Sequence, residues 1–173
     1  PKQAKPEKIP TLRPAFKKDG TVTAANSSSI SDGAAALLVM SASKAEALGL
    51  TPLAKIIAHS SHAIEPENFT VAPVGALQKL FTKTGWTHED VDLFEINEAF
   101  AMVTMLAIKK LGLNPDKVNI KGGACAIGHP IGASGARIIV TLLHGIKQNN
   151  LKKGIDSLCI GGGEATAIAV EMI

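Results

Sequence analysis

The stretch Lys121–Arg137, KGGACAIGHPIGASGAR, decides how the rest of this chain is read. It holds five glycines and four alanines beside one histidine, His129. Gly122 and Gly123 follow a β-like run at Val118–Ile120. Pro130 suits the first turn of a helix, where its missing N–H is no loss. Gly132 to Ala136 then opens a helical run that stays apolar through Ile138, Ile139, Val140, Leu142 and Leu143. Each glycine costs a helix up to about 1 kcal/mol relative to alanine, so several together point to a packing or site requirement. The run is apolar on nearly every side until Lys147 and reads as buried rather than amphipathic. His129 therefore sits on a tight turn at the mouth of a buried helix. It is either a reactive group or a histidine satisfied within a glycine turn.

Composition narrows the classes. The chain has 173 residues, enough for one domain with a sizeable core. Hydrophobic residues make up 46% of it and the mean hydropathy is +0.20, which argues against disorder. Aromatics are 3% and tyrosine is absent, so the core must be built from Ala, Val, Ile and Leu. A net charge of +3, with no basic patch interleaved with aromatics, gives no sign of nucleic acid as a partner. No apolar run reaches the roughly 18 residues that a membrane span needs. The two cysteines, Cys125 and Cys159, are too few for a disulfide framework and fit a reducing compartment. The chain begins at Pro1 without an initiator methionine, and the expectation is a portion of a longer protein.

Along the chain, Pro1–Lys18 is basic and proline-rich, and is expected to be extended or loop, because Pro6, Pro10 and Pro14 break a helix. It is either a solvated linker or an electropositive rim for a phosphorylated ligand. Asn26–Ser29 is a polar cluster suited to capping or ligand contact, and Ala34–Met40 starts small and ends β-like. Helices and strands then alternate. Ser43 is the expected N-cap of a helix over Lys44–Leu48, followed by a strand at Ala54–Ala58 and a loop at Pro66–Pro73. A helix over Val74–Thr84 stops at Gly85, Val91–Ile96 is a strand, and Asn97–Leu111 is a helix closed by Gly112. After the central helix, Ser157–Ile160 and Thr166–Met172 read as strands joined by Gly161-Gly162-Gly163. The pattern predicts an α/β fold whose terminal hairpin makes the sheet mixed.

Three polar places stand out where a strand hands over to something else: Asn97-Glu98, His129 and Cys159. Ligand sites in α/β folds collect at strand C-terminal ends, and glycine-rich turns there leave backbone N–H groups free for an oxyanion. Each place has a plainer reading too. Asn97 fits a helix N-cap, Cys159 a small buried hydrophobe, and the three glycines a flexible hairpin loop. A zinc site is a poor fit, since neither CxxC nor HExxH spacing is present.

NEAFA (Asn97–Ala101), GGACAIGHPIGASGAR (Gly122–Arg137) and CIGGG (Cys159–Gly163) resemble three C-terminal motifs of the thiolase family, of the acetyl-CoA acetyltransferase (acetoacetyl-CoA thiolase) type. LRPAF, DGTVTA and SDGAAALLVMS fit the same family, so the resemblance runs through the whole chain. It implies a thiolase-like C-terminal half, a mixed β-sheet flanked by helices that forms half of a five-layer αβαβα sandwich. Residues 1–33 would be the tail of the coenzyme A-binding loop domain, and residues 34–173 the C-terminal domain.

The implied reaction is the Claisen condensation of two acetyl-CoA to acetoacetyl-CoA and CoA, or the reverse thiolysis. His129 matches the histidine that activates a nucleophilic cysteine and then bonds the thioester oxygen. Cys159 matches the cysteine that takes or returns the α-proton, provided its surroundings favour thiolate. Asn97 matches the residue that holds a water in an oxyanion hole, and the Gly161 N–H a donor to the tetrahedral intermediate. Ser28 matches a contact to the pantetheine arm, with Ala24, Ile30 and Phe100 along the same tunnel. The resemblance implies no tightly bound cofactor and no metal; coenzyme A thioesters are substrates. The expected partners are an N-terminal thiolase half, which carries the nucleophile, and further copies in a homo-oligomer. The expected location is the cytoplasm, with the mitochondrial or peroxisomal matrix as alternatives.

There are departures. Ser29 stands where the family often has glycine. Phe69-Thr-Val-Ala-Pro73 replaces a more typical Met-Gly-x-Gly-Pro near the acyl pocket, and Phe69 would favour a short acyl group. Glu164 stands where a neutral residue is commoner, and Cys125 reads as a core substitution rather than a nucleophile. Two other functions compete: a decarboxylating ketoacyl synthase, for which a CIGGG cysteine is unnecessary, and a non-catalytic module that binds coenzyme A or a partner.

Overall fold

The computed structural model describes residues 5–173; Lys2 of the basic segment lies outside them. Four strands form one mixed sheet in the order β1-β4-β3-β2: β1 Ala54–Ala63, β2 Leu93–Ile96, β3 Lys153–Cys159 and β4 Glu164–Met172. β1 and β3 both run antiparallel to β4, and β2 runs parallel to β3. The terminal hairpin thus makes the sheet mixed, as its sequence requires.

The described residues form five α-helices: α1 Ala42–Ala47, α2 Ala72–Thr84, α3 Ala101–Leu111, α4 Ala124–Ile127 and α5 Ser134–Gln148. α2 covers one face, where Leu77, Leu80, Phe94, Ile96, Val103 and Ile155 are buried in one core. Full burial of each such side chain is worth roughly 1.5–3 kcal/mol. α5 covers the other face, with Leu142, Leu143 and Ile146 against Leu93 and Val170. The small residues expected for a core poor in aromatics line the sheet at Ala165, Ala167 and Ala169.

Several local expectations are corrected. Pro6–Thr11 is a short 3-10 turn, because Pro6 fits a first-turn position and the Lys8 N–H reaches the Lys5 carbonyl. Pro66–Val71 is likewise a 3-10 turn. Ser41, not Ser43, caps α1: its side chain accepts from the Lys44 N–H. Ala34–Met40 joins no strand, and Leu38 and Val39 are exposed. Val118–Ile120 is a single bridge rather than a strand. Asn119 has a left-handed φ of 50°, and its side chain replaces a strand partner by bonding both the N–H and the carbonyl of Ile96. Pro130 precedes α5 in a separate turn instead of opening it, since the Ala133 N–H closes on the Pro130 carbonyl. α5 buries Ile138, Leu142, Leu143 and Ile146 on one side, while His144 and Lys147 are exposed.

Candidate active site

The largest correction concerns Asn97. The NEAFA segment does not begin a helix; Asn97 to Phe100 stay out of α3, and Phe100 is extended. The reason is tertiary. The Asn97 N–H bonds the Ser157 carbonyl at 3.0 Å, so the chain is held to β3 one residue past β2. Thr104 of α3 and the Asn119 amide both donate to the Ile96 carbonyl and fix the same strand end. Asn97 is therefore no N-cap. Its side chain is buried, and its Nδ2 lies 3.3 Å from Nε2 of His129.

His129 is half-buried on the turn between α4 and α5. That turn needs a glycine ahead of it: Gly128 has φ +94°, and a Cβ there would lie 2.1 Å from the Ser31 hydroxyl. The polar segment 27–31 closes over the same turn. The His129 N–H bonds the Ser29 carbonyl at 2.8 Å, Ile30 bridges His129, and Ser27 bridges Phe100. On its other side the His129 ring meets Ser134, with Nδ1 2.6 Å from Oγ. Partial burial and then the Arg137 guanidinium hold the imidazole below its usual pKa, which favours the neutral ring.

Cys159 ends β3 on the same edge, two residues beyond the carbonyl that holds Asn97. It is buried, and burial pushes its thiol up to about 11. The surroundings in this chain thus favour thiol over thiolate. Beyond it, Gly161 and Gly162 are exposed, and among the described residues the Gly161 N–H meets no acceptor. Gly163 is the residue that makes the hairpin possible: its φ is +101° and a Cβ would lie 2.2 Å from the Ile64 carbonyl.

The expected tunnel residues are only partly assembled. Ser28 is half-buried and its hydroxyl donates to the Ala99 carbonyl at 2.9 Å. Phe100 packs edge-on against Phe69 at 6.3 Å and against Phe16 at 6.0 Å. Ala24 and Ile30 are exposed, Ile30 to 85%. Phe16, exposed in this chain, is an aromatic neighbour that the sequence reading did not single out, although a lone phenylalanine inside a basic, proline-rich segment is a usable signal. Cys125 is no nucleophile here: burial, and then the neighbouring Glu98 carboxylate, push its thiol up to about 11. Its N–H is bound to that carboxylate at 3.1 Å.

Beneath α5 lies an acidic pair that sequence reasoning missed. Glu95 and Asp156 stand directly opposite each other on β2 and β3. Both are buried, and Arg137 of α5 approaches Glu95 at 3.9 Å. Burial lifts the Glu95 carboxyl to about 7 against the pull of Arg137, and lifts Asp156 well above the carboxylate range. Among the described residues, no cluster of His, Cys, Asp or Glu is arranged to hold a metal ion, and no helix is long and apolar enough to cross a membrane.

Comparison with known proteins places this geometry. The family described as "Thiolase, C-terminal domain" matches residues 50–172, and "Thiolase, N-terminal domain" matches residues 1–43. An acetyl-CoA acetyltransferase of Chromobacterium violaceum is 58% identical over 92% of this chain and 41% of its own length. The crystal structure of the Bacillus anthracis acetyl-CoA acetyltransferase superposes with a TM-score of 0.94 at 47% identity, covering 96% of this chain and 42% of that one. The Acat5 thiolase from Ascaris suum, solved with coenzyme A, gives 0.88 at 43% identity, covering 99% and 45%. The chain spans about two fifths of the length of these relatives. With both of its domain types matched in order, the chain belongs to the thiolase family.

Proposed function

We propose that this chain supplies the C-terminal catalytic residues of an acetyl-CoA C-acetyltransferase, which condenses two acetyl-CoA to acetoacetyl-CoA and CoA or runs the reverse thiolysis. The observation that carries this reading is the bonding of His129, whose Nε2 meets Asn97, itself held at the end of β2 by the Ser157 carbonyl two residues before Cys159. A neutral imidazole in that place suits removal of a thiol proton. The acyl group then passes from coenzyme A to the nucleophilic cysteine, and coenzyme A leaves with a proton. The family resemblance assigns the nucleophile to the N-terminal half that pairs with this one, and Cys125 is here tied to Glu98.

In the second half-reaction, Cys159 removes the α-proton of the next acetyl-CoA as thiolate, or returns it as thiol in thiolysis. With its pKa near 11, the thiol form is the resting one, which favours proton return. Asn97 and the Gly161 N–H serve the two developing oxyanions. Ser28, Ala24, Ile30 and Phe100 line the path of the pantetheine arm, and Phe69 bounds the acyl end. Residues 1–33 form the tail of the coenzyme A-binding loop domain and residues 34–173 the C-terminal domain. The assembled protein is a homo-oligomer of the cytoplasm and needs no tightly bound cofactor.

The test is coenzyme A-dependent cleavage of acetoacetyl-CoA by the intact protein that carries this chain. Turnover that disappears in His129→Ala is expected. Binding of coenzyme A without any turnover would overturn the reading and leave a non-catalytic module.

A further inference from the structure

Ser134 has no part in the reaction described above, yet it makes the shortest contact of the His129 ring. Its side chain is fully buried at the start of α5, 2.6 Å from Nδ1 of His129 and 3.1 Å from the Pro130 carbonyl. A serine hydroxyl has one proton to give. The Pro130 carbonyl can only accept, so the hydroxyl donates there and its oxygen accepts from an Nδ1–H. That leaves Nε2 with its lone pair, facing the Asn97 amide N–H at 3.3 Å. The opposite arrangement, with the serine donating to Nδ1, puts a proton on Nε2. It would then set that N–H against the Asn97 amide N–H, two donors face to face. With Nδ2 of Asn97 facing the ring, the bonds run in one direction, from Asn97 through His129 and Ser134 to Pro130, and the buried Asn97 Oδ1 is left without a partner among the described residues.

We infer that Ser134 is a positioning residue that holds neutral His129 as its Nδ1–H tautomer, with the Nε2 lone pair presented to the site. Ser134 is shielded from any substrate by its complete burial and acts only through the ring. A base must present a lone pair to the proton that it takes, so the tautomer decides whether His129 is ready to act. After the proton is taken, the Nδ1–H still has the Ser134 oxygen to donate to, and the imidazolium is stabilised. The charged group that bears on His129 is Arg137, one turn further along α5, which opposes that charge.

The inference rests on the reading of His129 as a base, but its direct test does not. In the intact protein labelled with ¹⁵N-histidine, the His129 signals are assigned by their loss in His129→Ala. The neutral ring should show a protonated Nδ1 and an unprotonated Nε2. A protonated Nε2 in the unsubstituted protein would overturn the inference, whether or not the protein is a thiolase.

Kinetics supply the second arm. Ser134→Ala should shift the ring toward the other tautomer, slow acylation roughly 10- to 100-fold, as loss of a hydrogen bond to a charged group does, and move the acidic limb of its pH profile lower. Ser134→Thr keeps the hydroxyl and should recover most of the rate. A Ser134→Ala protein that melts earlier but keeps tautomer, rate and pH profile would assign the serine to packing alone. If the protein has no acyl-transfer activity at all, the proposed function fails while the tautomer measurement still stands.

Discussion

The Asn97 amide and the His129 ring meet at 3.3 Å across 32 positions of sequence, and Asn97 is the more buried of the two. The contact ties the end of β2 to the turn before α5. The Asn97 Oδ1 is also buried and has no hydrogen-bond partner among the described residues. His129 is thus a structural partner for Asn97 as well as the proposed base. Removal of the ring would strand a buried amide, so it bears on stability as well as on chemistry.

His129→Ala should therefore show two losses. Acylation of the intact enzyme should fall at least about 10³-fold, since a general base and an oxyanion donor are removed together. The stranded Asn97 amide should cost a further roughly 1–3 kcal/mol of stability, visible as a lower Tm. Single-turnover acylation and thermal melting on the same protein check both. Near-normal acylation in a destabilised protein would leave His129 a structural residue only.

Cys159 should be a slow nucleophile toward external reagents. With its thiol pushed up to about 11 by burial, little thiolate is present at neutral pH. Alkylation by iodoacetamide, followed by mass spectrometry, should accelerate about tenfold per pH unit through the alkaline range. A rate that levels off near pH 8 would contradict the buried thiol.

Stability should depend on pH through Glu95. Its carboxyl titrates near 7 in the fold, against 4.5 for the ordinary group, and burial is the main cause. Between those values the folded protein binds the extra proton, so stability is fully present below the lower value and is lost as pH rises through the higher one. The effect amounts to about 3 kcal/mol at most, shared with the neighbouring Asp156. Glu95→Gln should flatten the fall of Tm over this window, and an unaltered slope would exclude Glu95 as its source.

Phe69 should limit acyl length. It packs edge-on against Phe100 at 6.3 Å, and truncation opens space beside that ring. Phe69→Ala should raise the rate of cleavage of longer 3-ketoacyl-CoA substrates relative to acetoacetyl-CoA. An unchanged ratio would place the acyl chain elsewhere.

Much of the candidate site was legible because its residues lie in short motifs. His129 in its glycine turn, Cys159 before three glycines, and the mixed terminal hairpin all lie where local sequence puts them. The failures share a cause. Asn97 reads as a helix cap because the residues after it favour helix, yet a backbone bond to Ser157 holds it on the sheet. Val118–Ile120 reads as a strand, but the Asn119 side chain does the bonding. Ser134 looks like one more small residue in GASGA, and only the position of the His129 ring gives its hydroxyl a role. Glu95 and Asp156 are far apart in the chain and meet only through the register of β2 and β3.

The central claim is that His129 and Cys159 serve separate steps of one acyl transfer. Radiolabelled acetyl-CoA added to the intact Cys159→Ala protein tests it most directly. The account predicts that label is trapped covalently on the enzyme while no acetoacetyl-CoA forms, because acylation needs His129 and condensation needs Cys159. Condensation at the unsubstituted rate, or no trapped label in a folded protein, would contradict it.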